Sequence, residues 1–249
     1  MFLSQKYFHL RDYIARIPQL MLTEGETIYA ARNLIKVLRA PDGTLLNVKR
    51  YHRPSLPNAI VYSTGLRTPK GKRAFTYPQR LLSAGIETPE AVAYIEERRC
   101  GLLRYSYFIS IQCPYQHRFY EVIDLTEEQY TPLAEALGAM AAQMHNSGML
   151  HRDFSPGNIL WDIVDGKYHF SIVDINRMRF GSVPLAMGCS NFARLWGPTS
   201  FFETLARSYA RGRNLDADEC VRVTLESRRK FWTKYKKHHK MGVDPCREQ

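Results

Sequence analysis

One segment constrains the fold of this 249-residue chain more than any other part of its sequence. Residues 151–158 read His-Arg-Asp-Phe-Ser-Pro-Gly-Asn, after an apolar stretch with helical spacing and before two short strand-like segments. The turn signal Asp165-Gly166 joins those two segments into a predicted hairpin. The hairpin ends at Ile172-Val173, and Asp174 follows directly. The predicted order is therefore helix, polar loop, hairpin and carboxylate.

This order is typical of phosphoryl-transferring, kinase-like folds, in which an H-R-D-x-x-x-x-N loop precedes a metal-binding aspartate. Asp153 is the candidate base for an attacking hydroxyl. Asn158 and Asp174 are the candidate magnesium ligands, because Mg2+ requires hard oxygen donors. Arg152 is expected to hold backbone or a carboxylate, and His151 to be structural. The alternative is an ordinary loop in which Asp153 caps a turn and Asn158 satisfies backbone groups.

A lysine that binds nucleotide phosphates is expected on the third strand of the first half. Lys49, on the predicted strand Leu45–His52, is the main candidate, and Lys36 on the preceding strand is its rival. If Asp42-Gly43 forms a two-residue turn, Lys36 lies opposite Lys49, which is unfavourable unless an anion binds between them. A longer turn would shift the register and leave both lysines solvated.

The two halves of the chain differ in their predicted secondary structure. The first half reads as strands and the second as mostly helices, which predicts an α+β fold and not alternating βαβ units. The break at Cys113-Pro114-Tyr115 predicts a linker between the halves.

Three local expectations in the first half depend on proline and glycine. A helix over about 7–17 is expected to end at Pro18, because proline disrupts a helix interior. Residues 56–71 are rich in turn formers and are predicted to be a loop. A single helix is predicted over about 75–84, with Pro78 in its first turn or at a kink.

Composition and charge narrow the class of protein. A hydrophobic fraction of 45% is typical of a packed globular chain and excludes a disordered one. The formal net charge of +11 predicts attraction to nucleic acid, phosphate-bearing substrates or an anionic membrane. Five scattered cysteines without a C-x-x-C pair favour a reducing compartment. Because no apolar run reaches the ~18–20 residues of a membrane span, we expect a cytoplasmic protein.

The stretch Arg228–Lys240 mixes cations with aromatic residues. A solvated helix face explains such a run. The functional alternative is docking to anionic lipid, or to a substrate that carries carboxylate and phosphate. A nucleic-acid-binding protein is a further alternative, but nucleic acid is an unfavoured partner because the sequence contains no recognised RNA-binding module.

Several segments resemble the lipopolysaccharide core kinase family, the Kdo/WaaP group of Kdo kinases and heptose kinases. The loop at 151–158 is similar to the family's H-R-D-L-S-P-G-N, and 174–181 is similar to D-L-N-R-M-R-F-G. Asn-Phe-Ala-Arg-Leu follows at 191–195. Weaker likenesses include 81–89, similar to L-L-x-x-G-I-x-T-P, and the opening at 25–29. The likeness covers most of the chain.

The resemblance implies a two-lobed, protein-kinase-like fold with an antiparallel-sheet N-lobe over 1–112, a hinge over 113–116 and a mainly helical C-lobe over 117–249. It implies ATP and Mg2+ as cofactors, and transfer of the γ-phosphate to a sugar hydroxyl of Kdo or heptose in the inner core. The expected partner is a lipid-linked acidic sugar of the Kdo-lipid A type. The expected location is cytoplasmic, with peripheral contact at the anionic inner face of the inner membrane.

The same resemblance assigns roles to individual residues. Lys49 would contact the ATP phosphates, Asp153 would be the catalytic base, and Asn158 and Asp174 would hold the metal. The turn between the first two strands carries Arg32 instead of a G-x-G-x-x-G sequence. Arg32 would therefore take part of the work of a glycine-rich loop.

Two departures from the kinase pattern keep alternatives open. No Asp or Glu occurs between Gly43 and Ile86, so the helix glutamate that normally orients the lysine is missing. This favours a pseudokinase, or a nucleotide-binding protein without transfer activity, as one alternative. An atypical protein kinase is another, although no Ala-Pro-Glu segment follows Asp174 to build a peptide platform.

Overall fold

The structure is a computed structural model, and it describes residues 1–239 and 242–246. Lys240, the last residue of the basic stretch, lies outside the described residues. The chain forms two compact units that do not follow a single cut of the sequence. The first unit contains Met1–Arg80, Pro89–Pro114 and Asp174–Asn176, and the second contains Leu81–Thr88, Tyr115–Val173 and the chain from Arg177 onward.

The first unit is built on one six-stranded sheet. Its strands in chain order are β1 (Phe2–Leu3), β2 (Glu26–Ala30), β3 (Leu34–Arg39), β4 (Leu45–Tyr51), β5 (Ala91–Arg99) and β6 (Leu102–Ile111). They are arranged β1-β5-β6-β4-β3-β2, and every neighbouring pair is antiparallel. The antiparallel N-terminal sheet predicted from the sequence is confirmed.

The helices of the N-terminal region are short, apart from the first. A 3-10 helix covers Gln5–Leu10, and the α-helices are α1 (Arg11–Thr23), α2 (Leu56–Ser63), α3 (Lys70–Thr76) and α4 (Pro78–Ser83). The helix α1 runs through Pro18, so the predicted end at that residue is wrong. Leu20 and Met21 lie beyond the proline and are buried. Burying them stabilises the fold by about 1.5–3 kcal/mol each, which offsets the ~3 kcal/mol cost of the proline.

Two other local predictions are wrong. Residues 56–63 form α2 instead of a loop. The helix predicted over 75–84 is two helices, because Pro78 has no N–H to continue α3 and instead begins α4.

The turn between β3 and β4 fixes the positions of the two candidate lysines. Ala40 donates its N–H to the carbonyl of Thr44 at 2.8 Å, which closes a turn of three residues. Gly43 has a φ of +89°, which suits glycine. Lys36 therefore lies opposite Val48 and Lys49 opposite Ile35, so the predicted Lys36–Lys49 pair is wrong and the longer turn is correct.

The second unit is mainly helical. Its elements in chain order are β7 (His117–Arg118), α5 (Glu127–Asn146), β8 (Met149–His151), β9 (Ile159–Val164), β10 (Lys167–Ile172), β11 (Met178–Phe180), α6 (Leu185–Ser190), α7 (Thr199–Arg213) and α8 (Ala217–His238). The strands form a β10-β9-β7 sheet and a β11-β8 pair. The predicted Asp165-Gly166 hairpin is present between β9 and β10.

Segment 81–88 belongs to the second unit through contacts with β10. Thr88 donates its hydroxyl to the carbonyl of Ile172 at 2.7 Å, and Ile172 donates its N–H to the carbonyl of Glu87 at 2.9 Å. The Glu87 carboxylate also pairs with His169 at 2.6 Å. These contacts hold the end of β10 in place, directly before Asp174.

Helix α8 carries most of the basic stretch and is partly built into the core. Arg228 and Trp232 are buried, whereas Lys234 and Lys237 are exposed. The solvated-face interpretation therefore holds for only part of the stretch. Among the residues that the structure describes, no helix is both long and apolar enough to cross a membrane.

Candidate active site

The loop after β8 is organised around His151, which is fully buried. Its Nδ1 accepts the N–H of Asp153 at 3.1 Å, and its Nε2 lies 3.1 Å from the carbonyl of Val173. A neutral imidazole with its proton on Nε2 satisfies both bonds. His151 thus ties the polar loop to the end of β10, which is a structural role.

Asn158 closes the loop on itself. Its Nδ2 donates to the backbone oxygen of Asp153 at 2.8 Å and to the hydroxyl of Ser155 at 3.3 Å. Its backbone carbonyl accepts the N–H of Val173 at 3.0 Å, and Asp174 is the next residue in the chain. Within residues 1–239 and 242–246, the amide oxygen of Asn158 accepts no hydrogen bond. That oxygen suits a metal ligand.

Both carboxylate oxygens of Asp153 face arginines of the second unit. Oδ1 forms a short ion pair with Arg194, and Oδ2 lies 3.7 Å from Nη1 of Arg177. The Asp153 side chain is 26% exposed. The expectation for Arg152 is wrong: in the described part of the chain it makes no hydrogen bond or ion pair, and its side chain is exposed.

Lys49 pairs with Asp174 in the first unit. The distance between Nζ and Oδ1 is 2.7 Å, and the Lys49 side chain is 12% exposed. Asn176 donates its Nδ2 to the same carboxylate in a short hydrogen bond. Asp174 has a φ of 54°, a left-handed conformation that is uncommon for residues other than glycine. The lysine on β4 therefore has an acidic partner, although the expected helix lacks a glutamate.

Two buried polar atoms beside Asp174 lack partners within the described residues. They are the hydroxyl of Tyr51 and Oδ1 of Asn176. Burial, and to a lesser extent the Asp174 carboxylate, raises the pKa of Tyr51 well above its usual value, so this group remains a neutral donor. Unpaired buried groups are costly. Their presence around a carboxylate fits a region that also accommodates water, phosphate or a cation.

The other two predicted phosphate-binding residues, Lys36 and Arg32, also belong to the first unit. Lys36 donates its Nζ to the backbone carbonyl of Glu24 at 2.8 Å. Arg32 is exposed and lines a cavity of about 240 Å³ together with Asn33 and Tyr51. Of the two lysines, Lys49 is the one that contacts Asp174.

The predicted metal site would not be built from protein side chains alone. Within residues 1–239 and 242–246, no group of three or more His, Cys, Asp or Glu side chains is arranged to hold a metal ion. The two ligands predicted from the sequence, Asn158 and Asp174, would supply one amide oxygen and one carboxylate. This donor set suits Mg2+, which keeps several waters and commonly takes further oxygens from substrate phosphates.

Sequence reasoning assigned no role to Arg177 or Arg194. Both lie in segments that resemble the family, at 174–181 and 191–195, so their positions were visible. Their contact with Asp153 was not visible, because Arg194 is 41 residues away from it in the chain. The available signal was an arginine inside each of two motif segments that follow the loop.

Comparison with protein-family models gives one match that covers most of the chain. The model of the lipopolysaccharide kinase (Kdo/WaaP) family matches residues 32–196, which include the loop, Asp174 and Lys49. No curated protein sequence matches the chain.

Comparison with solved structures shows the fold. A structure described as WaaP in complex with acyl carrier protein is 19% identical and has a TM-score of 0.62, covering 96% of this chain and 98% of that chain. Amicoumacin kinase hAmiN in complex with AMP-PNP, Ca2+ and Ami is 11% identical and has a TM-score of 0.56, covering 97% of this chain and 92% of that one. Both likenesses confirm the predicted α+β, kinase-like fold.

Proposed function

This chain belongs to the lipopolysaccharide kinase (Kdo/WaaP) family, and we propose that it transfers the γ-phosphate of ATP to a sugar hydroxyl on Kdo or heptose in the lipopolysaccharide inner core. It is a phosphotransferase with an alcohol group as acceptor. The proposed acceptor is a lipid-linked acidic precursor of the Kdo-lipid A type, met at the cytoplasmic face of the inner membrane. The AMP-PNP and Ca2+ bound to amicoumacin kinase support a nucleoside triphosphate and a divalent cation as cofactors.

The observation that carries the proposal is the closed loop that presents Asp153. His151 and Asn158 bond to the backbone N–H and carbonyl of Asp153. These bonds fix the backbone from which the Asp153 carboxylate extends. In the proposed reaction, Asp153 accepts a hydrogen bond from the acceptor hydroxyl and takes up its proton as the oxygen attacks phosphorus. The products are ADP and a sugar phosphate monoester, and the proton is passed to solvent.

The remaining residues bind the nucleotide and the cation. Lys49 is the proposed partner of the α- and β-phosphates, and its pairing with Asp174 keeps the ammonium group oriented before nucleotide binds. Asn158 and Asp174 are the proposed Mg2+ ligands. When bound, the cation neutralises the charge of the β- and γ-phosphates. Arg32 is the proposed contact for the exposed side of the nucleotide, in place of a glycine-rich loop.

The experiment is phosphate transfer by the purified chain from labelled ATP to a Kdo-terminated and to a heptose-terminated lipid A precursor. We expect Asp153→Ala to lower transfer about 10²–10⁴-fold, the range for a positioned base. Asp124→Asn, an exposed carboxylate, is the control. Equal transfer by Asp153→Ala contradicts the role of Asp153, and nucleotide binding without transfer to either acceptor supports the pseudokinase alternative.

Mass spectrometry of lipopolysaccharide from a deletion strain identifies the acceptor. We expect the loss of one phosphate from the inner core, and fragmentation then places that phosphate on Kdo or heptose. An unchanged core contradicts the proposed substrate class.

A further inference from the structure

Two arginine side chains face the single carboxylate of Asp153, so the positive charge beside it exceeds its own negative charge. Its single carboxylate faces the guanidinium groups of Arg177 and Arg194, so the three side chains together carry a formal charge of about +1. Arg194 donates to Oδ1, and the Arg177 guanidinium lies 3.7 Å from Oδ2, so each of the two oxygens that an incoming hydroxyl can use has a cation beside it. In this arrangement the carboxylate of the proposed base is already paired with arginines of the same chain.

The two arginines are accessible to a ligand. Their side chains are 50% and 45% exposed for Arg177 and Arg194 respectively, whereas Asp153 is 26% exposed. A carboxylate or phosphate arriving from solvent therefore meets the guanidinium groups first. Guanidinium groups bind such anions in a bidentate geometry.

The backbone that carries Arg194 is anchored, although its side chain is exposed. The buried Arg228 donates to the carbonyls of Leu195 at 2.5 Å and Gly197 at 3.1 Å, which fixes the residues that follow Arg194 to α8. The Arg194 guanidinium also lies over the ring of Phe231, 5.6 Å from its centroid. A fixed backbone with a half-exposed side chain allows the guanidinium to exchange partners.

Arg177 is placed by strand pairing. The next residue, Met178, pairs with His151 in the β11-β8 ladder, and Asp153 follows His151 by two residues. Arg177 and Asp153 therefore lie at the same end of the β11-β8 strand pair. This contact is a consequence of the register of β11.

We propose that Arg194 and Arg177 form a latch on Asp153 that an anionic group of the acceptor releases. The proposal rests on the proposed function and narrows its substrate class: the phosphorylated hydroxyl stands beside a carboxylate or a phosphate of the same acceptor. The acceptor anion takes the guanidinium groups, and the oxygens of Asp153 then become available to the neighbouring hydroxyl. An acceptor without an anion leaves the latch closed.

The first test compares a Kdo-terminated lipid A precursor with the same acceptor methyl-esterified at its carboxyl group. Wild type is expected to favour the anionic acceptor about 30- to 100-fold in kcat/KM, since charged hydrogen bonds are lost with the ester. Arg194→Gln is expected to reduce this preference at least about tenfold. The preference of Arg194→Lys is expected to lie between those of wild type and Arg194→Gln. The control is Arg229→Gln, an exposed cation on α8. An unchanged preference in Arg194→Gln and Arg194→Lys overturns the proposal.

The second test needs no acceptor and separates the latch from the proposed function. Hydrolysis of Mg-ATP to ADP and phosphate by water is measured for the same variants. Arg194→Gln is expected to raise this rate severalfold, because the oxygens of Asp153 become available to water. If wild type transfers phosphate to neither acceptor, the proposed function fails, and a raised hydrolysis rate in Arg194→Gln still supports the latch. An unchanged hydrolysis rate overturns the latch, even when the acceptor preference falls.

Discussion

Lys49 and Lys36 differ in what their ammonium groups contact. Lys49 pairs with the Asp174 carboxylate, and Lys36 bonds to the backbone carbonyl of Glu24. We expect Lys49→Met to lower phosphate transfer about 10²- to 10³-fold, the size of a lost charge-stabilising donor at a reacting group. The matched control, Lys36→Met, is expected to change transfer by less than about threefold. Equal losses in the two variants, measured with labelled ATP, contradict the assignment.

His145 links the core of the second unit to the proposed catalytic loop. Its ring contacts the hydroxyl of Tyr209 at 2.8 Å and Oδ1 of Asn191 at 3.3 Å, and Asn191 donates to the carbonyl of His151 at 2.9 Å. Burial, together with the charge of Arg213, lowers the pKa of His145 from 6.5 to about 4. The folded protein therefore holds this imidazole neutral.

The lowered pKa predicts a pH dependence of stability. Between pH 6.5 and about 4 the unfolded chain binds a proton at His145 that the folded chain does not, so stability is complete above pH 6.5 and falls with decreasing pH. We expect His145 to contribute a loss of about 2 kcal/mol between pH 7 and pH 5, measured by urea unfolding. His145→Gln is expected to lose less stability than wild type over this pH range. The control His238→Gln, which changes an exposed histidine, is expected to lose as much as wild type. A wild-type loss in His145→Gln contradicts this assignment.

The individual site residues were predictable to different extents. Asp153 and Asn158 share one motif with fixed spacing, and Asp174 directly follows the predicted hairpin, so the sequence alone nominates all three. The partner of Lys49 was not predictable, because Asp174 lies 125 residues later in the chain and spacing rules describe only local contacts. The absence of Asp and Glu between Gly43 and Ile86 showed only that the usual helix glutamate is missing, and it favoured a pseudokinase.

Helix α8 shows how a basic stretch combines a structural with an exposed part. The buried Arg228 donates to two carbonyls and lies 3.2 Å from the centroid of the Phe202 ring. We expect Arg228→Met to lower the free energy of unfolding by about 2–4 kcal/mol, because it leaves the buried carbonyls of Leu195 and Gly197 without these donors. The measurement is urea unfolding. The neighbouring exposed variant, Arg229→Met, is expected to stay within about 0.5 kcal/mol of wild type, and equal effects contradict the structural role.

At the scale of elements, sequence patterns predicted the strands better than the short helices. The turn signal Asp165-Gly166 identified the hairpin of β9 and β10, but turn-forming residues concealed α2. The signals for α2 were present, since Ser55 precedes the helix and Pro57 lies in its first turn, where proline is favoured. The β3–β4 register depended on one residue of turn length, which composition does not determine. Packing decided the course of α1 past Pro18.

At the scale of the molecule, a net charge of +11 attracts any polyanion, so attraction alone does not identify a docking surface. Arg177 and Arg194, which face Asp153, form one group of cations that contributes to this charge. The exposed cations of α8 form a second group, with Lys234 and Lys237 among them. Attraction between these lysines and anionic headgroups acts mainly within about one Debye length, roughly 10 Å at 0.1 M salt.

Binding to vesicles separates a docking helix from a general effect of charge. We expect the protein to sediment with phosphatidylglycerol vesicles at low salt and not with phosphatidylcholine vesicles. The double variant Lys234→Glu/Lys237→Glu lowers the net charge from +11 to +7 and is expected to weaken binding at least about tenfold, at roughly 1 kcal/mol for each lysine near the surface. The charge-matched control, Arg99→Glu/Lys167→Glu, changes two exposed cations elsewhere and is expected to retain binding. Equal weakening in the two double variants would show that total charge, and not α8, governs the attraction.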